Sequence, residues 1–440
     1  MTLLAHGLGG ATDLPIPLGY ALIGAAWALT FSFALLLFAW REPRLDPDSP
    51  GRPLPAALRA TADSRWTRAV LAALSVAATA FVAAVALGGS GDPARNPVPG
   101  VLYVYLWVGV AVLSLLAGPV WKVLSPARAL HRALCALLRR PPERGFLAYP
   151  ERLGIRPAVL GLFALVWLEL AAPDPGAVGA VATWLGLYLL LTLAGLVVFG
   201  TAWAEHADPL EVYSTLIGRL SPLGRRAGTG ELVLRAPLAN LAGTPVLPGS
   251  VAVAAVLLGS TAFDSFAQFP VWRRQLVDSG QPTLLKTAAL LGFVLIVAVL
   301  FWGAARATGG VSRAERRLLP GTLAHSLTPI VAGYIVAHYL TFLVEKGQAT
   351  AILFADPFDR GWNLLGLADR DVAYLLSNHP AVLGTIKVLA VVTGHVLGVA
   401  AAHDRSLRVL PKAHRATGQL ALVLVMVGFT FAGLYLLFDA

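Results

Sequence analysis

Six ionisable residues lie in or beside long apolar segments of this 440-residue chain, at depths that would let them share one site. They are His6, Glu169, Asp264, His338, Glu345 and Lys387. His338 and Glu345 are seven residues apart, about 20° around a helix, so they share a face. Imidazole and carboxylate groups bind divalent metals that activate water, whereas an ammonium group favours a bound anion. The residue types therefore predict a polar pocket suited to one of these two ligands.

The same residues have a second interpretation, in which they only form hydrogen bonds between helices or lie at the membrane surface. A secondary polar set comprises His325, His395 and His403, together with Glu169 from the first group. A proton or ion path that joins the two sets is a further hypothesis, because ionisable groups inside a membrane usually mark a site or a path.

The elements that must position these residues are membrane-spanning helices. The chain is 57% apolar and 13% charged, with a mean hydropathy of +0.70, which excludes a soluble fold. Continuous apolar stretches of about 20 residues favour helices over barrel strands. We predict an all-α polytopic transmembrane bundle that forms a single domain over residues 1–440. Its ten spans lie near 18–40, 69–88, 101–121, 157–172, 178–200, 247–263, 284–305, 322–344, 381–402 and 417–438.

The basic residues predict the orientation of these spans. The odd-numbered connections contain 26 Lys and Arg residues, against 6 in the tails and even-numbered connections. Because positive residues stay on the cytoplasmic side, both termini face outward, and the polar pocket lies in the outer half of the bundle. The net charge of +10 is explained by topology, so we expect no nucleic-acid partner. The predicted location is a bacterial-type cytoplasmic (inner) membrane.

Two connections have features of their own. Residues 126–140 carry leucines at helical spacing between basic residues, which predicts a cytoplasmic helix lying on the lipid surface. Residues 345–380 form a long external connection, with a second capped helical stretch from Asp369. Asp208, followed by Pro209 and Glu211, predicts the start of another short helix.

Several local motifs resemble the membrane proteins known as the fenitrothion hydrolase-like family. They are His6–Gly9, Asp13–Pro15, Arg44–Leu45, Tyr103–Gly109, Tyr149–Gly154, Ser221–Gly224, Gly259–Phe266, Ala324–Leu327 and Ala337–Tyr339. The likeness extends over most of the chain. It implies an enzyme that cleaves organophosphorus esters.

The resemblance also implies roles for the residues of the pocket. His338, Asp264 and His6 would bind a divalent metal that polarises the phosphoryl oxygen and activates water. Glu345 would orient that water, and Lys387 would offset negative charge in the transition state. A small apolar or phosphoester substrate would enter from the lipid bilayer.

Two other function classes remain open at this point. A secondary transporter would use the same buried charges to bind its substrate or a proton. A non-catalytic subunit would hold a protein partner, which the sequence does not identify, through the long external connection.

Overall fold

The structure is a computed structural model that describes residues 14–308, 310–364 and 366–438. Helices form nearly all of its regular structure. His6, one of the predicted metal ligands, lies outside the described residues. The α-helices of the first half are α1 (Leu18–Ala39), α2 (Ala56–Asp63), α3 (Arg65–Gly88), α4 (Val98–Gly100), α5 (Val110–Ala117), α6 (Trp121–Leu124), α7 (Pro126–Leu137), α8 (Arg156–Leu170), α9 (Val178–Phe199), α10 (Thr201–His206) and α11 (Pro209–Gly218).

The second half continues this helical pattern. Its α-helices are α12 (Pro237–Ala242), α13 (Ser250–Phe266), α14 (Pro270–Asp278), α15 (Pro282–Arg306), α16 (Arg313–Leu323), α17 (Thr328–Thr341), α18 (Gly347–Leu353), α19 (Pro380–Val409) and α20 (Leu420–Phe438). Val101–Gly109 and Phe342–Lys346 are π-helical, and Ala324–Leu327 is a 3-10 turn. Three short strands, β1 (Arg52–Pro53), β2 (Leu223–Arg225) and β3 (Leu232–Leu234), form one antiparallel sheet in the order β1-β3-β2.

The described chain divides into two compact units. Unit 1 contains residues 50–236 and 342–373, and unit 2 contains residues 14–49, 237–341 and 374–438. Each unit draws on separate stretches of the sequence, and the single domain over residues 1–440 stays a prediction.

Eight helical segments in the described part of the chain are long and apolar enough to cross a membrane. A ninth candidate is the pair α13 and α14, which meet at a bend of 87°. The predicted spans near 157–172 and 247–263 correspond to α8 and α13, with 15 and 17 residues. At 1.5 Å per residue these helices are shorter than a hydrocarbon core of about 30 Å. Length and composition alone thus give fewer spans than the predicted ten.

The segment after His338 differs from the prediction. Residues 342–353 are helical, so the connection predicted for 345–380 begins with helical residues up to Leu353. The helical stretch predicted from Asp369 is wrong, because residues 369–374 have no helical turn and the next helix, α19, begins at Pro380. Capping by Asp208 agrees with its predicted role, since its carboxylate accepts hydrogen bonds from the backbone of Leu210 and Glu211 at the start of α11.

Large apolar side chains are exposed on the long helices. Trp27, Phe38 and Leu87 are 69%, 73% and 90% exposed. In α7 the leucines face outward, whereas Arg128 and His131 are buried. A helix that buries Arg128 and His131 and exposes its leucines suits a lipid environment, where apolar side chains contact the acyl chains.

Candidate functional site

The two ionisable residues that the structure brings together are Asp264 and His338. The Nε2 atom of His338 lies 2.7 Å from a carboxylate oxygen of Asp264, which is a short charge-assisted hydrogen-bond distance. His338 is 0% exposed and Asp264 is 4% exposed, so water does not compete for this contact. Both residues belong to unit 2.

Two helix ends place this pair. Asp264 lies in the last turn of α13, shortly before the sharp bend to α14 at Pro270. His338 lies in the last turn of α17, between a 3-10 turn and a π-helical segment. Irregular turns of this kind are frequent at functional sites, because they change the direction of side chains within an otherwise regular helix.

Close packing of α17 on α19 fixes the height of Lys387 relative to this pair. A Cβ atom added to Gly333 would lie 2.5 Å from the carbonyl oxygen of Ala390, and one added to Gly394 would lie 2.6 Å from that of Pro329. Only glycine permits such backbone contact, as in small-residue interfaces of membrane helices. These contacts show that the two helices run antiparallel.

The resulting register brings Lys387 to the level of the pair. Along α17, His338 follows Gly333 by five residues, and along α19, Lys387 precedes Ala390 by three. The two side chains therefore start on the same side of the crossing, with a height difference of about 3 Å at 1.5 Å per residue. Lys387 is 1% exposed. Its charge thus belongs to the buried polar layer of unit 2.

A cavity of about 70 Å³ lies one turn from the pair, within unit 2. Thr261 and Ser265 line it from the helix of Asp264, and Tyr334 lines it one turn before His338. This volume has room for a few water molecules, and the three hydroxyl groups supply the polar partners that an internal water needs. It is too small for a phosphotriester, so a substrate of that size reaches the pair only if the helices around the cavity separate.

The other predicted members of the outward group belong to unit 1 or lie outside the described residues. Glu169 lies on α8 and Glu345 lies in the π-helical segment, and both are buried in unit 1. His6 lies outside the described residues. Asp264 and His338 are therefore in direct contact, and Lys387 lies at about the same height in unit 2. The convergence of all six groups stays a prediction.

Each of the three histidines of the secondary set contacts different residues. His325 Nδ1 lies 3.1 Å from the carbonyl oxygen of Thr322, and His395 Nδ1 lies 2.9 Å from that of Val391. His403 lies between the side chain of Gln419, at 3.0 Å, and the carbonyl oxygen of Trp40, at 2.8 Å. These contacts are those of histidines that stabilise helices and helix packing.

The described residues do not form a metal site. Within residues 14–308, 310–364 and 366–438, no three His, Cys, Asp or Glu side chains are grouped so that they could hold a metal ion. Asp264 and His338 instead bind each other, and the remaining predicted ligand is His6. The divalent metal stays a prediction, and the chemistry considered below is that of the His–Asp pair.

Sequence reasoning missed a second buried charge pair, which lies in unit 1. The Arg128 side chain donates two hydrogen bonds to Glu211, at 2.5 and 2.6 Å. Residue types at the start of α7 and α11 do not reveal this pairing, because the two residues are far apart in sequence. The amphipathic pattern of residues 126–140 was the only signal in the sequence, and it does not identify the partner of Arg128.

Comparisons with known proteins identify no relatives. No family model, curated protein or solved structure matches the chain.

Proposed function

We propose that the chain crosses a bacterial-type cytoplasmic membrane ten times, with both termini on the outer side. The eight long helices support a polytopic membrane protein. The two additional crossings are α8 and α13, and two contacts within the units support them.

The sheet supports α8 as a crossing. Strand β1 pairs with β3, so residues 52–53 and 232–234 lie on the same side of the membrane. An even number of crossings must therefore separate them. The three long candidate spans between these strands are α3, Val98–Ala117 and α9. With α8 the number becomes four, as required.

A side-chain contact supports α13 in the same way. Arg405, near the cytoplasmic end of α19, donates a 2.6 Å hydrogen bond to the carbonyl oxygen of Ala242 in unit 2. Three long candidate spans lie between these residues, namely α15, Arg313–Leu353 and α19. An even number again requires a fourth crossing, and α13 is the helix that supplies it.

We propose further that this protein hydrolyses an organophosphorus or related phosphoester at the Asp264–His338 pair. The observation that carries the proposal is the buried 2.7 Å contact between these two side chains. A carboxylate that accepts from one imidazole nitrogen fixes the tautomer and stabilises the protonated ring, which is how His–Asp pairs act as general bases. The resemblance to the fenitrothion hydrolase-like family supports the choice of substrate.

The proposed reaction needs only water, the ester and side chains of this protein. His338 takes a proton through Nδ1 as a water oxygen attacks phosphorus, and Asp264 stabilises the imidazolium that forms. The bond from phosphorus to the leaving oxygen then breaks, and the imidazolium returns the proton to that oxygen. Lys387, at the same level, offsets the negative charge that develops on the phosphoryl oxygen.

The test uses purified full-length protein and a dialkyl p-nitrophenyl phosphate, with released nitrophenolate as the readout. His338→Gln and Asp264→Asn should each lower kcat by about 100-fold or more, the usual contribution of general acid–base catalysis. His395→Gln is the matched control, since His395 is equally buried on a neighbouring helix. Unchanged rates in the first two variants, or an equal loss in the control, would overturn the proposal.

A secondary transporter is the second candidate, and the broken course of α17 favours it. Helix α17 is bordered by a 3-10 turn and by a π-helical segment. Interrupted spans next to buried charges are typical of transporter binding sites. Proteoliposomes distinguish the two functions, because a transporter would accumulate the intact ester whereas a hydrolase would release its phenol.

A further inference from the structure

Unit 1 contains a groove lined by apolar residues, whereas the site described in unit 2 is polar. Its volume is about 460 Å³, within the range of about 300–1,000 Å³ that single ligands occupy. It runs along α3 and α9 and along the segment 101–106, all of which belong to candidate membrane spans. Ala78, Val82, Leu106, Leu185 and Gly186 are among the residues that line it.

Residues of α6 and α7 also line the groove, on its cytoplasmic side in the proposed topology. Trp121, Leu124 and Pro126 line this side, and the Ser75 hydroxyl donates a 2.5 Å hydrogen bond to the carbonyl oxygen of Leu124. The lining of the groove is thus almost entirely apolar, and in the proposed topology Trp121 and Leu124 lie on its cytoplasmic side.

Basic residues neighbour this part of the lining, without lining the groove themselves. Lys122 directly follows Trp121, and the Arg132 guanidinium on α7 lies 3.4 Å from the carbonyl oxygen of Lys122. Arg132 is exposed and Lys122 is half-buried. Arg68 lies two turns before Ser75 on α3 and forms an ion pair with Asp63 at 3.7 Å. Lys122 and Arg132 are therefore the better candidates for binding an anion.

We propose that this groove is a binding site for an anionic phospholipid of the inner leaflet. One acyl chain lies in the groove, and the phosphate lies between Lys122 and Arg132. An apolar groove between membrane spans must be filled by hydrocarbon, and basic pockets at the cytoplasmic side attract anionic head groups. The inference does not depend on the Asp264–His338 chemistry.

Two glycines of α9 give a matched pair of variants. A Cβ atom added to Gly186 or to Gly179 would meet no atom within 4 Å, so a larger side chain is tolerated by the fold at both positions. Gly186 lines the groove and Gly179 does not. Gly186→Leu therefore fills the groove, while Gly179→Leu places the same side chain on the same helix outside it.

The experiment measures lipid retained by the purified full-length protein in detergent, using native mass spectrometry. The probes are phosphatidylglycerol, phosphatidylcholine with identical chains, and glycerol phosphate as a head group without a chain. The wild type should retain phosphatidylglycerol in preference to phosphatidylcholine and should not retain glycerol phosphate.

The variants separate the two parts of the site. Gly186→Leu should lose lipid and Gly179→Leu should retain it. Lys122→Gln and Arg132→Gln should each lower the preference for phosphatidylglycerol about fivefold, which corresponds to about 1 kcal/mol per basic residue near the membrane surface. Equal retention of both lipids by the wild type, or full retention by Gly186→Leu, would overturn the proposal. Binding of glycerol phosphate alone would show an anion site without a lipid groove and would overturn it as well.

Discussion

Arg128 and Glu211 form a bidentate ion pair in the interior of unit 1, with nitrogen–oxygen distances of 2.5 and 2.6 Å. The Glu211 side chain is fully buried, and that of Arg128 is 7% exposed. The pair joins the first turn of α7 to the first turn of α11. It therefore ties the lipid-facing helix α7 to the interior of its unit.

We expect removal of one partner of this pair to destabilise the protein strongly. Glu211→Gln removes both short hydrogen bonds of Arg128 and leaves its buried charge with Glu205, at 3.8 Å, as the nearest carboxylate in an ion pair, which should lower the free energy of unfolding by about 3 kcal/mol. Unfolding of the purified protein by denaturant titration measures the change. The control is Arg95→Gln, which breaks the exposed pair with Asp359 and should cost no more than about 1 kcal/mol. Similar losses in both variants would contradict the assignment.

Asp208 predicts a pH dependence of stability in the same unit. Burial, reinforced by the nearby Glu211 carboxylate, raises the pKa of Asp208 from 3.8 to about 7. Because the folded state holds the proton more tightly than the unfolded state, this group stabilises the fold fully below about pH 4, and that contribution is lost as the pH rises to about 7.

The variant Asp208→Asn keeps the helix cap but removes the titration. We expect its melting temperature to vary less between pH 4 and pH 7 than that of the wild type, in which stability falls over that interval. Tyr188 donates to the Asp208 carboxylate, and the charged groups of this cluster include Glu211, Arg128 and, at 3.8 Å from Arg128, Glu205. Parallel melting curves for the two proteins would exclude Asp208 as the titrating group.

Labelling of single cysteines tests the ten-span topology. In a Cys135→Ala background, Thr229→Cys lies in the turn between β2 and β3. Ten spans place this turn in the cytoplasm, whereas omission of α8 would place it outside. An impermeant maleimide should therefore fail to label Thr229→Cys in intact cells and should label it after lysis. Ser90→Cys, in the connection after α3, should be labelled in intact cells under either topology.

Hydropathy predicted the long helices because an apolar run of 20 residues has few alternatives in a membrane. It also predicted α8 and α13 as spans, but both helices are shorter than such a window, so their crossing of the membrane stays a prediction. The pairing of Arg128 with Glu211 was not predictable, because each residue alone resembles an ordinary charge on a short surface helix. Asp264 and His338 were grouped from their depth in the spans, while their direct contact depends on the end of α13 and on the irregular turns around α17.

The contact between α17 and α19 should depend on glycine at residue 333. Gly333→Leu would force the side chain into the backbone of Ala390, and overpacking of this kind costs about 1–3 kcal/mol or more. Gly428→Leu on α20 is the control, since a Cβ atom there meets nothing within 4 Å, and its effect should stay within about 0.5 kcal/mol. The free energy of unfolding is measured for both variants. A loss in Gly333→Leu as small as that in Gly428→Leu would show that α17 and α19 can separate at little cost.

Lys387 should matter for the reaction in a way that Lys286 does not. Lys387 is buried at the level of the Asp264–His338 pair, whereas Lys286 is half-buried near the start of α15, where its long side chain can reach the membrane surface. Lys387→Met removes the positive charge that stabilises the phosphoryl oxygen, and we expect kcat for the p-nitrophenyl ester to fall about 100-fold or more with little change in KM. Lys286→Met should retain the wild-type kcat. If Lys387→Met lost only thermal stability and kept its turnover, Lys387 would be a structural partner within unit 2 and not part of the catalytic group.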